Sequence, residues 1–182
     1  MEIDGFATME EQGELFKLLM KGFEKDYTPK IAEIGVYKGR MTSMVCGMFS
    51  DAGLKVDYYC IDHFQGSAEH EKKNYFFEFV ENTRGIAGLK GHIGLSVRVG
   101  LSVRMARKYP DFHFDIVYLD ASHDYLSVKH DIEAWWPKVK NGGVLCGDDY
   151  IIGWDGVIQA VDEAFGDNVK RVAGQQWYVV KK

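Results

Sequence analysis

Three short stretches of the chain carry side chains whose types and spacing could do chemistry. Asp120 and His123 stand three residues apart in D-A-S-H-D-Y (120–125), and the adjacent pair Asp148-Asp149 stands in G-D-D-Y (147–150). Carboxylates are hard oxygen donors, and a set that leaves room for water and two substrate oxygens suits Mg2+ or Mn2+ better than zinc. An alcohol is a poor nucleophile at neutral pH. Chemistry on a hydroxyl therefore needs a base within hydrogen-bond reach and gains from a divalent cation that lowers the hydroxyl's pKa. The plainer alternatives are an N-cap aspartate, a solvated Asp-Asp turn and a surface histidine.

The third stretch is E-I-G-V-Y-K-G, Glu33 to Gly39, with Gly35, Tyr37 and Gly39 inside the turn. Glycine lets the backbone turn sharply and approach a ligand closely, and a helix that follows supplies unpaired N–H groups. Val36 and Tyr37 stand where the dinucleotide fingerprint G-x-G-x-x-G would need a further glycine, so NAD is disfavoured. An acidic Glu33 at the strand end opposes a pyrophosphate and suits a ligand with a cationic amino group. Asp62, followed by His63, closes the next apolar run, where nucleotide-binding sheets place a ribose-binding carboxylate. Each feature alone reads equally well as a turn or a cap; together they favour an adenosine-type cofactor.

These residues need elements to position them. Phe16, Leu19, Met20 and Phe23 recur at helical spacing, and Tyr27-Thr28-Pro29 ends that stripe. Lys30–Ile34 reads as a strand and Met41, Met44, Val45, Met48 and Phe49 as the apolar face of a helix. Val56 to Ile61 is a second strand, and a helix is expected over about 69–83. GLSVRV (94–99) and GLSVRM (100–105) form a local duplication too short for a solenoid repeat. A strand at 93–99 and a helix N-capped by Ser102 account for it. Phe114–Leu119 reads as a strand buried on both faces. Val128, Ile132, Trp135, Trp136 and Val139 form a helical stripe closed by Asn141-Gly142-Gly143 before the strand Val144–Cys146. A helix at 155–165 and a hairpin over 169–172 and 177–180 finish the chain. Alternating strands and helices imply an α/β, mostly parallel sheet covered on both faces. In such sheets ligands sit beyond the carboxyl ends of the strands, where Glu33, Asp62, Ser102, Asp120, Asp148 and Asp149 fall.

Composition bounds the possibilities further. At 182 residues, 46% hydrophobic and 27% charged, the chain has the size and makeup of one globular domain with a full core. Its three cysteines lack any C-x-x-C pairing, which points to a reduced, cytoplasmic protein without a disulfide framework or thiolate zinc site. No stretch of about 18 apolar residues is present, so neither secretion nor membrane insertion is expected. A formal charge of -5 lacks the footprint of a nucleic-acid binder.

The turn at 33–39 and the acidic residue at 62 resemble motif I and the second-strand motif of class I S-adenosylmethionine (SAM) dependent methyltransferases, and the closing hairpin is similar to that fold's ending. F-D-I-V-Y-L-D-A-S-H-D-Y (114–125) with D-I-E-A-W-W-P-K-V-K-N-G-G-V-L-C-G-D-D-Y (131–150) resembles, more narrowly, the family of macrocin and mycinamicin sugar O-methyltransferases. The resemblance runs from about Lys30 to the end. It implies a Rossmann-like class I methyltransferase fold with a seven-stranded, mostly parallel sheet and a C-terminal antiparallel hairpin, formed by one domain over 1–182. Residues 1–28 would be an N-terminal helical segment and 64–92 an insertion serving as a lid or a dimer contact, with a homodimer or higher oligomer as the family's habit. Glu33, Gly35 and Gly39 would surround the methionine part of SAM, Asp62 would bind the ribose, Ser102 would lie near the adenine with His63 as a further contact on the adenine side, and Tyr37 would be a further cofactor-binding residue. Asp120, Asp148 and Asp149 would hold Mg2+ or Mn2+, and His123 would be the general base, a role that an ordinary imidazole pKa of about 6.5 suits. The pattern departs at Leu101, where relatives usually carry an acidic residue. The implied activity is methyl transfer from SAM to a hydroxyl of a small molecule, a sugar or natural-product intermediate. The rivals are a metal-independent methyltransferase and a non-catalytic SAM- or nucleotide-binding protein.

Overall fold

Short runs of β-branched and aromatic residues pair most readily as buried strands, and five of them form the parallel part of the sheet. The computed structural model describes residues 9–67, 70–172 and 174–182. In chain order the elements are α1 (Met9–Met20), β1 (Lys30–Ile34), α2 (Arg40–Asp51), β2 (Val56–Asp62), α3 (Phe76–Thr83), β3 (Ile93–Val99), α4 (Ser102–Ala106), β4 (Phe114–Leu119), α5 (Tyr125–Trp135), β5 (Val139–Gly147), α6 (Asp155–Phe165), β6 (Lys170–Val172) and β7 (Gln176–Val180). They build a seven-stranded sheet in the order β3-β2-β1-β4-β5-β7-β6. The first five strands run parallel, and β7 enters antiparallel between β5 and β6.

Successive strand side chains point to opposite faces, so each central strand feeds two cores. Ile31 and Tyr118 join α1, α2 and α3 through Phe16, Val45, Phe49 and Phe79. Ala32, Ile34, Val117 and Leu119 join α4, α5 and α6 through Ala106, Ile132, Trp135 and Val161. Trp135 is fully buried and Trp136 only partly so, as a core and an edge residue. Among the described residues no helix is long and apolar enough to cross a membrane.

The boundaries differ from the sequence pattern in four places. The helix expected over 69–83 begins at Phe76; residues 68–69 lie outside the described residues, as do 1–8 of the N-terminal segment. The first helix stops at Met20, and Phe23 turns back to stack on Tyr27 and pack against Phe49. Val139 is a strand residue, and Asn141-Gly142-Gly143 lies inside β5 as a register shift between Phe114 and Ile116 of β4. Gly142, at φ 78°, donates its N–H to the Lys181 carbonyl, and a Cβ on Gly143 would stand 2.8 Å from the Asp115 carbonyl, so the glycines serve a bulge where a helix stop was expected. Ser102 opens α4 but does not cap it; Leu101 holds that position and no side chain caps it.

What positions the site is the junction of β1 with β4. Beyond Ile34 the chain turns at Gly35, whose N–H bonds the Ile61 carbonyl at the end of β2 (2.9 Å), while Asp120 N–H bonds the Ile34 carbonyl (2.8 Å). Gly35 has φ 86°, and a Cβ there would lie 2.1 Å from the Asp120 carbonyl oxygen. Gly35→Ala therefore meets both a left-handed backbone and a backbone clash, and should cost about 2–4 kcal/mol in urea unfolding. An unfolding midpoint equal to that of the wild type would show that the β1–β4 junction tolerates a wider gap.

Candidate functional site

The carboxyl ends of β1, β2, β4 and β5 open into a cavity of about 580 Å³. Its walls include Glu33, Gly35, Tyr37, Asp62, His63, Ser102, Asp120, His123, Asp148 and Asp149, so the separate sequence stretches meet in one place. Gly39 does not line it. That glycine, at φ 79°, packs the turn onto α3, where a Cβ would stand 2.6 Å from Thr83 and 2.9 Å from Phe79. Tyr37 and Asp149 hold left-handed backbones at φ 46° and 60°, conformations that cost non-glycine residues energy and that cluster at functional turns.

Asp62 binds the glycine turn to its own strand. Its Oδ2 accepts from the N–H groups of Val36 (2.9 Å) and Tyr37 (2.8 Å), and Oδ1 accepts from Phe64 N–H (2.6 Å). A carboxylate offers about four acceptor positions, so one remains for a ligand hydroxyl. His63 Nδ1 accepts from Gln65 N–H at 3.0 Å, which puts the ring proton on Nε2. Ser102 points its hydroxyl away from the cavity chemistry, donating to Asp131 and accepting from Trp135 Nε1 at 2.8 Å.

Glu33 is only 1% exposed. Its Oε2 accepts from the hydroxyls of Thr42 (2.6 Å) and Tyr58 (2.9 Å). Burial raises its pKa to about 8; those two hydrogen bonds act in the opposite sense, and the negative charges of Asp120 and Asp62 add to the rise.

At the other end of the cavity, donor atoms of Asp120, His123 and Asp149 all lie within 4.8 Å of one another. His123 Nε2 stands 2.8 Å from Asp149 Oδ2 and 3.7 Å from Asp120 Oδ1, and its ring packs on Trp154 at 4.5 Å. Burial alone would lower the His123 pKa, but hydrogen bonds and charge from Asp120 and Asp149 outweigh it and lift the value to about 11. His123 is thus an imidazolium here, in contrast to the ordinary imidazole that the base role presupposes. Burial raises Asp120 to about 6, opposed by the hydrogen bond to His123 and reinforced by Asp148 and Asp149. Asp148 lines the cavity but stands outside the tight trio; its Oδ1 accepts from Asp149 N–H at 3.0 Å. Two carboxylates with a third behind them and a cavity for water and substrate oxygens form a donor set that fits Mg2+ or Mn2+.

Comparison with known proteins places this geometry. A family model described as a methyltransferase domain (Methyltransf_24) matches residues 32–150, which include both the glycine turn and G-D-D-Y. The chain belongs to this methyltransferase family. The fold is that of class I enzymes: the O-methyltransferase NovP superposes with a TM-score of 0.70 at 17% identity, over 92% of this chain and 79% of that one. CalS11, a TDP-rhamnose 3'-O-methyltransferase of calicheamicin biosynthesis, superposes at 0.66 and 15% identity over 94% and 79%. MycE from the mycinamycin pathway, solved with Mg and SAH, superposes at 0.54 and 19% identity over 92% of this chain and 48% of that one. No curated protein sequence matches the chain significantly. The methyltransferase uses SAM as its methyl donor.

Several residues that line or support the site carry no signal in the linear sequence. Thr42 and Tyr58, which clamp Glu33, sit in the middle of α2 and β2 and read as ordinary core positions. Asp131, 7% exposed on α5, opens the 131–150 stretch without a role assigned to it there, although an aspartate at a buried helical position is itself a signal. Gln175 reaches the cavity from the chain's last third, and His70 and Tyr75 reach it from between β2 and β3, where the Tyr37 ring packs on His70 at 4.3 Å and on Tyr75 at 4.6 Å.

Glu33 makes the methyltransferase pH-sensitive in a defined direction. Between pH 4.5 and about 8 the unfolded chain ionises this carboxyl while the folded one keeps its proton, so the stability it contributes falls as pH rises through that window. Glu33→Gln should flatten the fall of Tm between those pH values in the ligand-free protein. Parallel Tm profiles for variant and wild type would refute a neutral Glu33.

Proposed function

We propose that this methyltransferase transfers the methyl group of SAM to a hydroxyl of a small molecule, a sugar or natural-product intermediate, with assistance from a divalent cation. The observation that carries the reading is the Asp120, His123 and Asp149 cluster facing the cavity opposite the glycine turn. NovP and CalS11, similar in fold, are O-methyltransferases, which supports oxygen as the acceptor atom. A charge of -5 supports a small acceptor over nucleic acid.

Glu33 and the Gly35 turn suit the methionine end of SAM. A cationic amino group beside Glu33 would draw off the proton that burial keeps on it. The remaining acceptor position of Asp62 would take a ribose hydroxyl, with Nε2–H of His63 as a nearby donor. Ser102 would border the adenine as a wall, since its hydroxyl is engaged by Asp131 and Trp135.

Asp120 and Asp149, with Asp148 beside them, would hold Mg2+ or Mn2+. Such an ion lowers the pKa of a hydroxyl it binds. With the charge of Asp120 and Asp149 engaged by such an ion, His123, whose burial disfavours the imidazolium, would give up its proton to solvent. The neutral imidazole accepts the acceptor's proton at Nε2. The acceptor oxygen attacks the methyl carbon in line, forming the O–C bond as the C–S bond breaks and S-adenosylhomocysteine (SAH) leaves.

Calorimetric titration with SAH, with and without Mg2+, tests the donor site, and SAH release across a panel of hydroxylated acceptors tests the reaction. His123→Ala should bind SAH normally and lose about 10²–10⁴-fold in turnover. Full turnover in that variant would remove the base, and full turnover in EDTA-treated enzyme would leave a metal-independent methyltransferase.

A further inference from the structure

Behind the carboxylate cluster lies a second, small chamber of about 20 Å³, with Asp120, Asp131, Asp148, Val157 and Trp177 in its walls. Asp148 lines both this chamber and the main cavity. Trp177 is 1% exposed, and its indole Nε1 is a buried donor without a hydrogen-bond partner among the described residues. Such a donor is costly to leave unpaired. β7 pairs with β5 so that Trp177 faces Gly147, the residue before Asp148, and Nε1 lies 2.9 Å from the point where a Cβ on Gly147 would stand. The unpaired N–H is therefore presented at the strand end from which Asp148 projects. Asp131 reaches the chamber from α5 and is held there by the Ser102 hydroxyl.

The walls define the ligand. It must accept from an indole N–H and donate to carboxylates. A metal cation would face the positive end of the N–H dipole, and an anion would face the carboxylates. Water does both, needs about 10–15 Å³ and two to four polar partners, and this chamber supplies the room and the partners for one. We propose that the chamber binds a single structural water between Nε1 of Trp177 and the carboxylates of Asp131 and Asp148. Resting on the metal reading above, we further infer that Trp177 acts through that water as a positioning residue for Asp148, holding the carboxylate that faces the cavity in one orientation.

The test is a crystal structure of the whole chain at a resolution that locates single waters, for wild type and Trp177→Phe, together with calorimetric titrations of both with Mn2+ and with SAH. The wild type should have density for one water within hydrogen-bond reach of Nε1 and of Asp131 or Asp148, and Trp177→Phe should lose or displace it. The variant should bind Mn2+ roughly 10-fold more weakly while its SAH affinity stays unchanged. Absence of density in the wild type overturns the water site, even if the variant fails to fold. Unchanged Mn2+ affinity in a folded variant overturns the positioning role. If the wild type takes up no Mn2+, the metal reading fails and takes the positioning role with it, and the density alone then decides the water.

Discussion

The contact on which the site depends is the approach of two backbones, Gly35 at the end of β1 and Asp120 at the end of β4. No side chain fits between them. β1 is the strand from which the chain proceeds outward to β2 and β3 on one side, while β4 and β5 return on the other. The connections after β1 and β4 must therefore lead to opposite faces of the sheet, and a crevice opens between them. Closing the two strand ends to backbone contact makes that crevice one cavity, with the Asp62 clasp on one side and the carboxylate cluster on the other.

Collecting acidic groups at the ends of parallel strands creates an electrostatic problem that this chain answers in two ways. Glu33 is buried among hydroxyl donors, and burial raises its pKa to about 8, which favours the neutral carboxyl. Asp120 and Asp149 are instead compensated from within, by a histidine three residues beyond Asp120. A built-in counter-ion offsets the repulsion among the carboxylates of Asp120, Asp148 and Asp149 in the ligand-free state. The same arrangement couples the protonation state of His123 to whatever binds the carboxylates.

Dual use of polar groups recurs around the cavity. Asp62 both fastens the turn and faces the ligand space, and Ser102 borders the cavity while its hydroxyl is tied to α5 through Asp131 and Trp135. Motif-bearing residues are here structural as well as chemical. Rigid support of this kind keeps reactive groups aligned, since each is oriented by bonds it makes to the scaffold.

Strand positions, the crossover pattern and the meeting of Glu33, Asp62, Asp120, Asp148 and Asp149 at one end of the sheet were legible in the linear sequence. Strands buried on both faces leave continuous apolar runs, and a strand's last residue is its chemical end. Other features follow from contacts between residues far apart in the chain, which periodicity does not encode. Gly142-Gly143 reads as a helix stop, yet it makes a bulge because β4 and the chain's end crowd it. Gly39 looks like a ligand-facing glycine but is required by Thr83 and Phe79 of α3. The charge on His123 depends on how near Asp149 comes from another strand. The duplicated G-L-S-V-R makes the distinction within five residues: at 94–98 it is a strand paired to β2, and at 100–104 it leads into α4. Local preference was the same for both copies, and only the partner each one met, an open strand edge or the buried Asp131 and Trp135 of α5, separated them.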